Sequence, residues 1–126
     1  MLNTLIVGLG GFLGAIARYG LSGLIQKYAG PGFPLGTMMV NISGCLAIGG
    51  VLYLVEDRSV LGPNARLFLA IGILGGFTTF SSFGYETLQL LKDRESFFAF
   101  LNIAGNVVLG LGAVWAGRAI LKAVGA

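Results

Sequence analysis

Phe80 and Phe83 stand three residues apart, just after a run of glycines and hydroxyl residues, and Asn41, Asn102 and Asn106 lie inside long apolar segments. At helical spacing the two phenylalanines share one side of a helix. Packing against lipid or protein is the plain role for such rings. Their chemical role would use the aromatic quadrupole, whose positive edge can face a small, hard anion that has shed its water. The asparagines, with Thr37, Thr79, Ser81 and Ser82, offer neutral donors and acceptors. Thr37 and Asn41 are four apart, as are Asn102 and Asn106, so each pair lies on one helix face. Polar groups inside a membrane span face a bundle interior or a wet path. Hydrogen bonding between helices is the alternative reading of the same residues.

No catalytic set stands out. Histidine is absent, the single cysteine is Cys45, and no mid-span pair of carboxylates exists. These absences argue against a zinc or copper site and against a cation or proton relay. Glu86 lies near one end of its segment and could snorkel. Cys45 reads as a small apolar packing residue. Arg18 is the one charge inside the first apolar run. It lies about 6 Å from the midpoint of a helix over 2–26, given the usual rise per residue. Snorkelling is its bland role. Attracting an anion, or binding backbone carbonyls at a subunit contact, is its functional one.

The elements that must hold these groups are membrane spans. The chain has 126 residues, 56% hydrophobic and 10% charged, with 22 glycines. A soluble domain carries about 25% charged residues, so too little polar surface is present to cover one. Leu35–Val55, Leu67–Tyr85 and Phe97–Gly117 contain no Asp, Glu, Lys or Arg. Each is long enough to cross a bilayer. The reading is an all-α integral membrane protein with one four-span domain over 1–126. Its spans fall at about 2–26, 35–55, 65–91 and 97–121. Ala15-Ile16-Ala17 resembles a signal-peptide cleavage site, but no Lys or Arg precedes the apolar run, so the first segment is expected to be retained. A net charge of +3 with no basic stripe gives no sign of nucleic acid binding.

Charge near the span ends does not decide orientation. One side would hold Arg58, Arg66, Arg118 and Lys122; the other holds Lys27, Lys92 and Arg94, with Arg18 a doubtful fourth. That balance leaves two readings open under the positive-inside rule. Other signals orient the chain, or copies insert both ways and pair head to tail.

The spans differ in kind. Gly10 and Gly14 in the first have the small-xxx-small spacing that lets backbones approach. The fourth carries Gly105, Gly110 and Gly112. The third reads Gly72-Ile73-Leu74-Gly75-Gly76-Phe77-Thr78-Thr79-Phe80-Ser81-Ser82-Phe83. Paired glycines followed by β-branched threonines make a poor helix centre, and the pattern predicts a break near 75–79. Non-helical backbone at that depth survives only in a protein interior or along a wet cavity, where freed carbonyls and amides can bind ions. A glycine packing site with a kink is the simpler reading.

Gly75-Gly76-Phe77-Thr78-Thr79-Phe80-Ser81-Ser82-Phe83 resembles the signature of the Fluc (CrcB) fluoride channels. Gly36-Thr37-Met38-Met39-Val40-Asn41 resembles their second-helix motif, and Gly14-Ala15-Ile16-Ala17-Arg18 their first-helix arginine segment. Phe83-Gly84-Tyr85-Glu86 continues the likeness, and length, span count and motif order agree over essentially the whole chain. The resemblance implies a passive, fluoride-selective channel in a prokaryotic plasma (inner) membrane, relieving cytoplasmic fluoride toxicity. It implies an antiparallel, dual-topology homodimer with two pores. Phe80 and Phe83 would turn ring edges toward fluoride, and Asn41 would donate a hydrogen bond to it. The backbone carbonyls of Gly75 and Thr78 from both subunits would hold a structural sodium ion. Arg18 would sit near the pore mouth or dimer interface. Ser82 stands where family members commonly have threonine. Asn106 and then Asn102 would form the fourth-helix polar track, with Thr37, Thr79 and Ser81 as further contacts.

Two other functions fit a short four-span chain. A proton-coupled multidrug exporter needs a carboxylate in its first span, where this sequence has Arg18. A non-conducting assembly subunit of a larger membrane complex would explain the glycine motifs alone.

Overall fold

The computed structural model describes residues 1–126, all helix apart from short turns. Four stretches are long and apolar enough to cross a membrane: Leu2–Ala29, Leu35–Asp57, Pro63–Lys92 and Ser96–Ala123. We label the first α1, the second α2 and the fourth α5. The third comprises α3, residues 63–77, and α4, Phe80–Lys92. Each span runs one to three residues beyond its sequence-based limits at one or both ends. The added turns carry residues such as Lys27, Asp57 and Lys92, which apolar counting leaves out.

Thr78 and Thr79 separate α3 from α4. Their torsions are extended, with ψ of 156° and 112°. Gly75 and Gly76, which open the 75–79 stretch where a break is expected, are helical. Their helix penalty is small against the cost of leaving backbone groups unpaired in an apolar surround. Thr79 instead caps α4: its Oγ1 accepts from the Ser82 amide at 3.2 Å. Tyr53–Asp57, Arg66–Leu74 and Gly105–Leu109 wind with the wider π spacing. Such turns are uncommon and gather near functional sites; the last contains Asn106.

The first turn is fastened by Gln26. Its Nε2 donates to Gly30 O and Phe33 O at 2.5 and 2.9 Å, and its Oε1 accepts from Gly36 N at 3.0 Å. Gly30 ends α1 at φ +85° with extended ψ, a positive-φ conformation that costs glycine little.

Glycines set the helix contacts. Gly10 and Gly14, the pair singled out by spacing, are buried against the α3 backbone. A Cβ on Gly14 would overlap Ile73 O. On the other side of the bundle, α2 meets α5 through Gly49 and Gly117, where a Cβ would overlap the carbonyls of Val114 and Leu46. Only 19 residues are buried, while Leu9, Phe12, Ile16, Phe80, Leu111 and Trp115 are exposed. Outward faces this apolar require lipid or protein around them.

Candidate functional site

Midway along the third span, α2, α5, the Thr78–Thr79 segment and the first turn of α4 border an open cleft of about 210 Å³. Asn41, Cys45, Thr78, Thr79, Phe80, Phe83, Asn106 and Val107 line it. None carries a formal charge at neutral pH. The cleft therefore offers dipoles and ring edges, with no fixed counter-charge to trap an ion.

Asn41 organises it. Extended backbone at Thr79 leaves an amide and a carbonyl with no helical partner. The Asn41 side chain takes both: its Oδ1 accepts from Thr79 N at 2.7 Å and its Nδ2 donates to Thr79 O at 3.1 Å. The reverse amide orientation would set N–H against N–H, so the chemistry fixes this one. The second Nδ2 proton goes to Asn106 Oδ1 at 2.9 Å. Both protons of the amide expected to face an anion are thus engaged within the chain.

Phe80 and Phe83 form an edge-to-face pair, with centroids 5.4 Å apart and planes at 66°. Their environments differ. Phe83 is 8% exposed and Phe80 is 82% exposed, so Phe80 projects from the surface of a single chain. Helical spacing put both on one side, and the fold seals only one of them within its own chain.

The hydroxyls divide similarly. Thr79 Oγ1 donates to Ser82 Oγ at 3.1 Å and lies 3.3 Å from Ser81 Oγ. Ser81 is exposed and Ser82 half-buried. Thr37 is buried outside this cluster, and its Oγ1 donates to Glu86 Oε1 at 2.6 Å. The other carboxylate oxygen, Oε2, is buried without a partner. Glu86 is half-buried near the end of the third span, beside the Pro31–Pro34 turn, and its hydrogen bond to Thr37 is a partner that its position in the sequence did not reveal.

Asn102 is fully buried, away from any cleft. Its Nδ2 donates to Thr87 Oγ1 at 3.0 Å, and Thr87 Oγ1 donates to Phe83 O at 2.8 Å. Asn106 Nδ2 donates to Asn102 O and Oδ1 at 2.9 and 3.0 Å. Thr87 was missed in the sequence. The signal was available: Phe83, Thr87 and Leu90, at i, i+4 and i+7, are the buried face of α4.

Arg18 is half-buried, and its Nε donates to Gly76 O at 3.0 Å. The bond ties α1 to the third span of the same chain, whereas the expected carbonyl binding was at a subunit contact. No side-chain hydrogen bond reaches the carbonyls of Gly75 or Thr78. Those two neutral oxygens are of the hard donor type that suits an alkali or alkaline-earth cation.

Four membrane-length helices, three of which border an uncharged cleft of amides, hydroxyls and phenyl rings, define a small multi-pass membrane protein. Residues 5–118 match the family described as CrcB-like protein, Camphor Resistance (CrcB). The chain belongs to that family. It is 45% identical to a protein of Chlorobium phaeobacteroides strain BS1 over 94% of this chain and 91% of the relative. It is 47% identical to one of Chlorobium luteolum over 92% and 89%, and 46% identical to one of Opitutus terrae over 96% and 92%. All three relatives bear the name fluoride-specific ion channel FluC.

Proposed function

We propose that this chain is the subunit of a passive, fluoride-selective channel that lets fluoride leave the cytoplasm across a prokaryotic plasma membrane. One observation carries the reading: the uncharged cleft at Thr78–Thr79 is edged by the Phe80–Phe83 pair. A strongly hydrated anion needs replacement dipoles on leaving water, and a fixed cation would hold it too tightly for conduction. The name shared by the relatives supports the same ion. The decisive measurement is efflux from vesicles carrying the purified chain. Fluoride should leave rapidly and chloride hardly at all; equal rates for the two would sink the proposal.

Two copies, inserted in opposite directions, make the working unit in this reading. The balanced end charges and the outward apolar faces support it, and Phe80 is where a second chain would complete the wall. Tags on the C-terminus should report from both sides of the membrane. Labelling from a single side would remove the antiparallel arrangement. In such a pair the third span works as a broken helix, and the Gly75 and Thr78 carbonyls of both chains would hold sodium. The fit is chemical: neutral oxygens suit a hard cation, and two per chain become four across a two-fold axis. The bound ion would supply fixed positive charge at the contact between the subunits.

A further inference from the structure

The hydrogen bonds of Asn41, Asn106, Asn102 and Thr87 join into one circuit that only the backbone between Thr79 and Phe83 closes. It leaves the third span at Thr79, whose N–H and C=O both bind Asn41. It crosses from α2 to α5 through Asn106, runs down α5 to Asn102, and returns to the third span at Thr87. The last bond ends on the Phe83 carbonyl. The two ends, at Thr79 and at the Phe83 carbonyl, bound the turn that carries Phe80 and Phe83, the rings that edge the cleft.

Three features separate this circuit from ordinary helix packing. Asn102 and Thr87 are 0% and 8% exposed, so water cannot replace either partner. Every member is neutral, which avoids the cost of burying charge. And Asn41 has no free N–H, so an anion could use it only by displacing Thr79 O or Asn106 Oδ1. Threonine bonded to the carbonyl four residues back is common in helices and by itself signifies little. Here the same hydroxyl also receives the Asn102 amide, which valine could not do.

We propose that Thr87 and Asn102 are positioning residues: with Asn106 and Asn41 they fix the angle between the Thr78–Thr79 segment and the first turn of α4, and so aim the Phe80 ring. The proposal takes its flux readout from the channel reading; its structural readout does not depend on that reading.

The test compares Thr87→Val with Thr87→Ser in the full chain in vesicles, reading halide efflux per folded channel and hydrogen exchange at the Thr79 amide. Loss of one buried hydrogen bond should speed Thr79 exchange and slow fluoride efflux in the valine variant by about tenfold each, with weaker discrimination against chloride. Serine keeps the hydroxyl and should restore both to within about twofold. Valine protein that folds, conducts and exchanges like the wild type overturns the proposal, even if its yield or melting temperature falls. Should the valine variant not fold, Asn106→Leu at the half-buried link decides the matter by exchange: faster exchange at Thr79 supports the circuit and unchanged exchange overturns it. If wild-type vesicles pass no fluoride, the channel reading fails, and the exchange comparison still decides the circuit.

Discussion

The same two helices, α2 and α5, make contact in opposite ways along their length. At one end Gly49 and Gly117 press on opposing carbonyls, and the polar side-chain contact that crosses is the partly exposed Arg118–Asp57 ion pair. At the other, Asn41 reaches Asn106 with an amide bond, and a cleft opens beside it. In lipid, hydrophobic burial does not drive helices together, so each half must find another source of attraction. The glycine half uses close dispersion contact and has no tolerance for volume. The asparagine half uses directed bonds, which hold backbones apart and leave room for an occupant. One half fixes the bundle, and the other can host an ion within it.

Experiments can break that division at either end. Phe80→Ile with Phe83→Ile removes the ring edges and leaves the glycine half intact. Fluoride efflux should fall about a thousandfold in a protein that still elutes as folded; unchanged efflux would take the rings out of conduction. Gly117→Leu attacks the other half. The added side chain has no space beside Leu46 O and should cost about 3 kcal/mol or more, read as lost folded protein on heating in detergent. A variant as heat-stable as the wild type would show that the contact can relax. Thr37→Val tests whether directed bonds matter outside the cleft. It strips Glu86 of its hydroxyl partner and should cost about 1–3 kcal/mol by the same assay. The smallest effect belongs to Asp57→Asn. The Arg118–Asp57 pair, at 2.5 Å, has a half-exposed arginine, and its loss should change stability by under about 1 kcal/mol with efflux untouched. A larger loss would mean that this end, too, depends on directed bonds.

Much of this was legible in the sequence, for reasons that differ by level. The four spans follow from composition, because the absence of charge over a bilayer's width has few other readings. The Gly10–Gly14 contact follows from spacing. Of the residues expected along the pathway, Asn41, Thr79, Phe80, Phe83 and Asn106 line one cleft, while Thr37, Ser81, Ser82 and Asn102 do not; polar groups have few places to go in a membrane, but several can be satisfied between helices instead. Their partners were not legible. Thr37 and Asn41 share a helix face, yet Thr37 turns to Glu86 and Asn41 to Thr79, according to what the neighbouring span presents. The paired glycines and the β-branched threonines after them suggested a helix break near 75–79. Propensity weighs one residue against water, whereas the extended torsions occur at Thr78 and Thr79, where Asn41 can take up the unpaired groups of Thr79.

The circuit from Thr79 to Phe83 has a consequence for the conditions under which the site keeps its shape. Amides and aliphatic hydroxyls neither gain nor lose protons at any pH that a folded chain survives. The aim of the Phe80 ring is therefore set by groups that acid and alkali leave alone. A cell whose interior turns acid would change the charge on loops and carboxylates while leaving the frame around this cleft as it was.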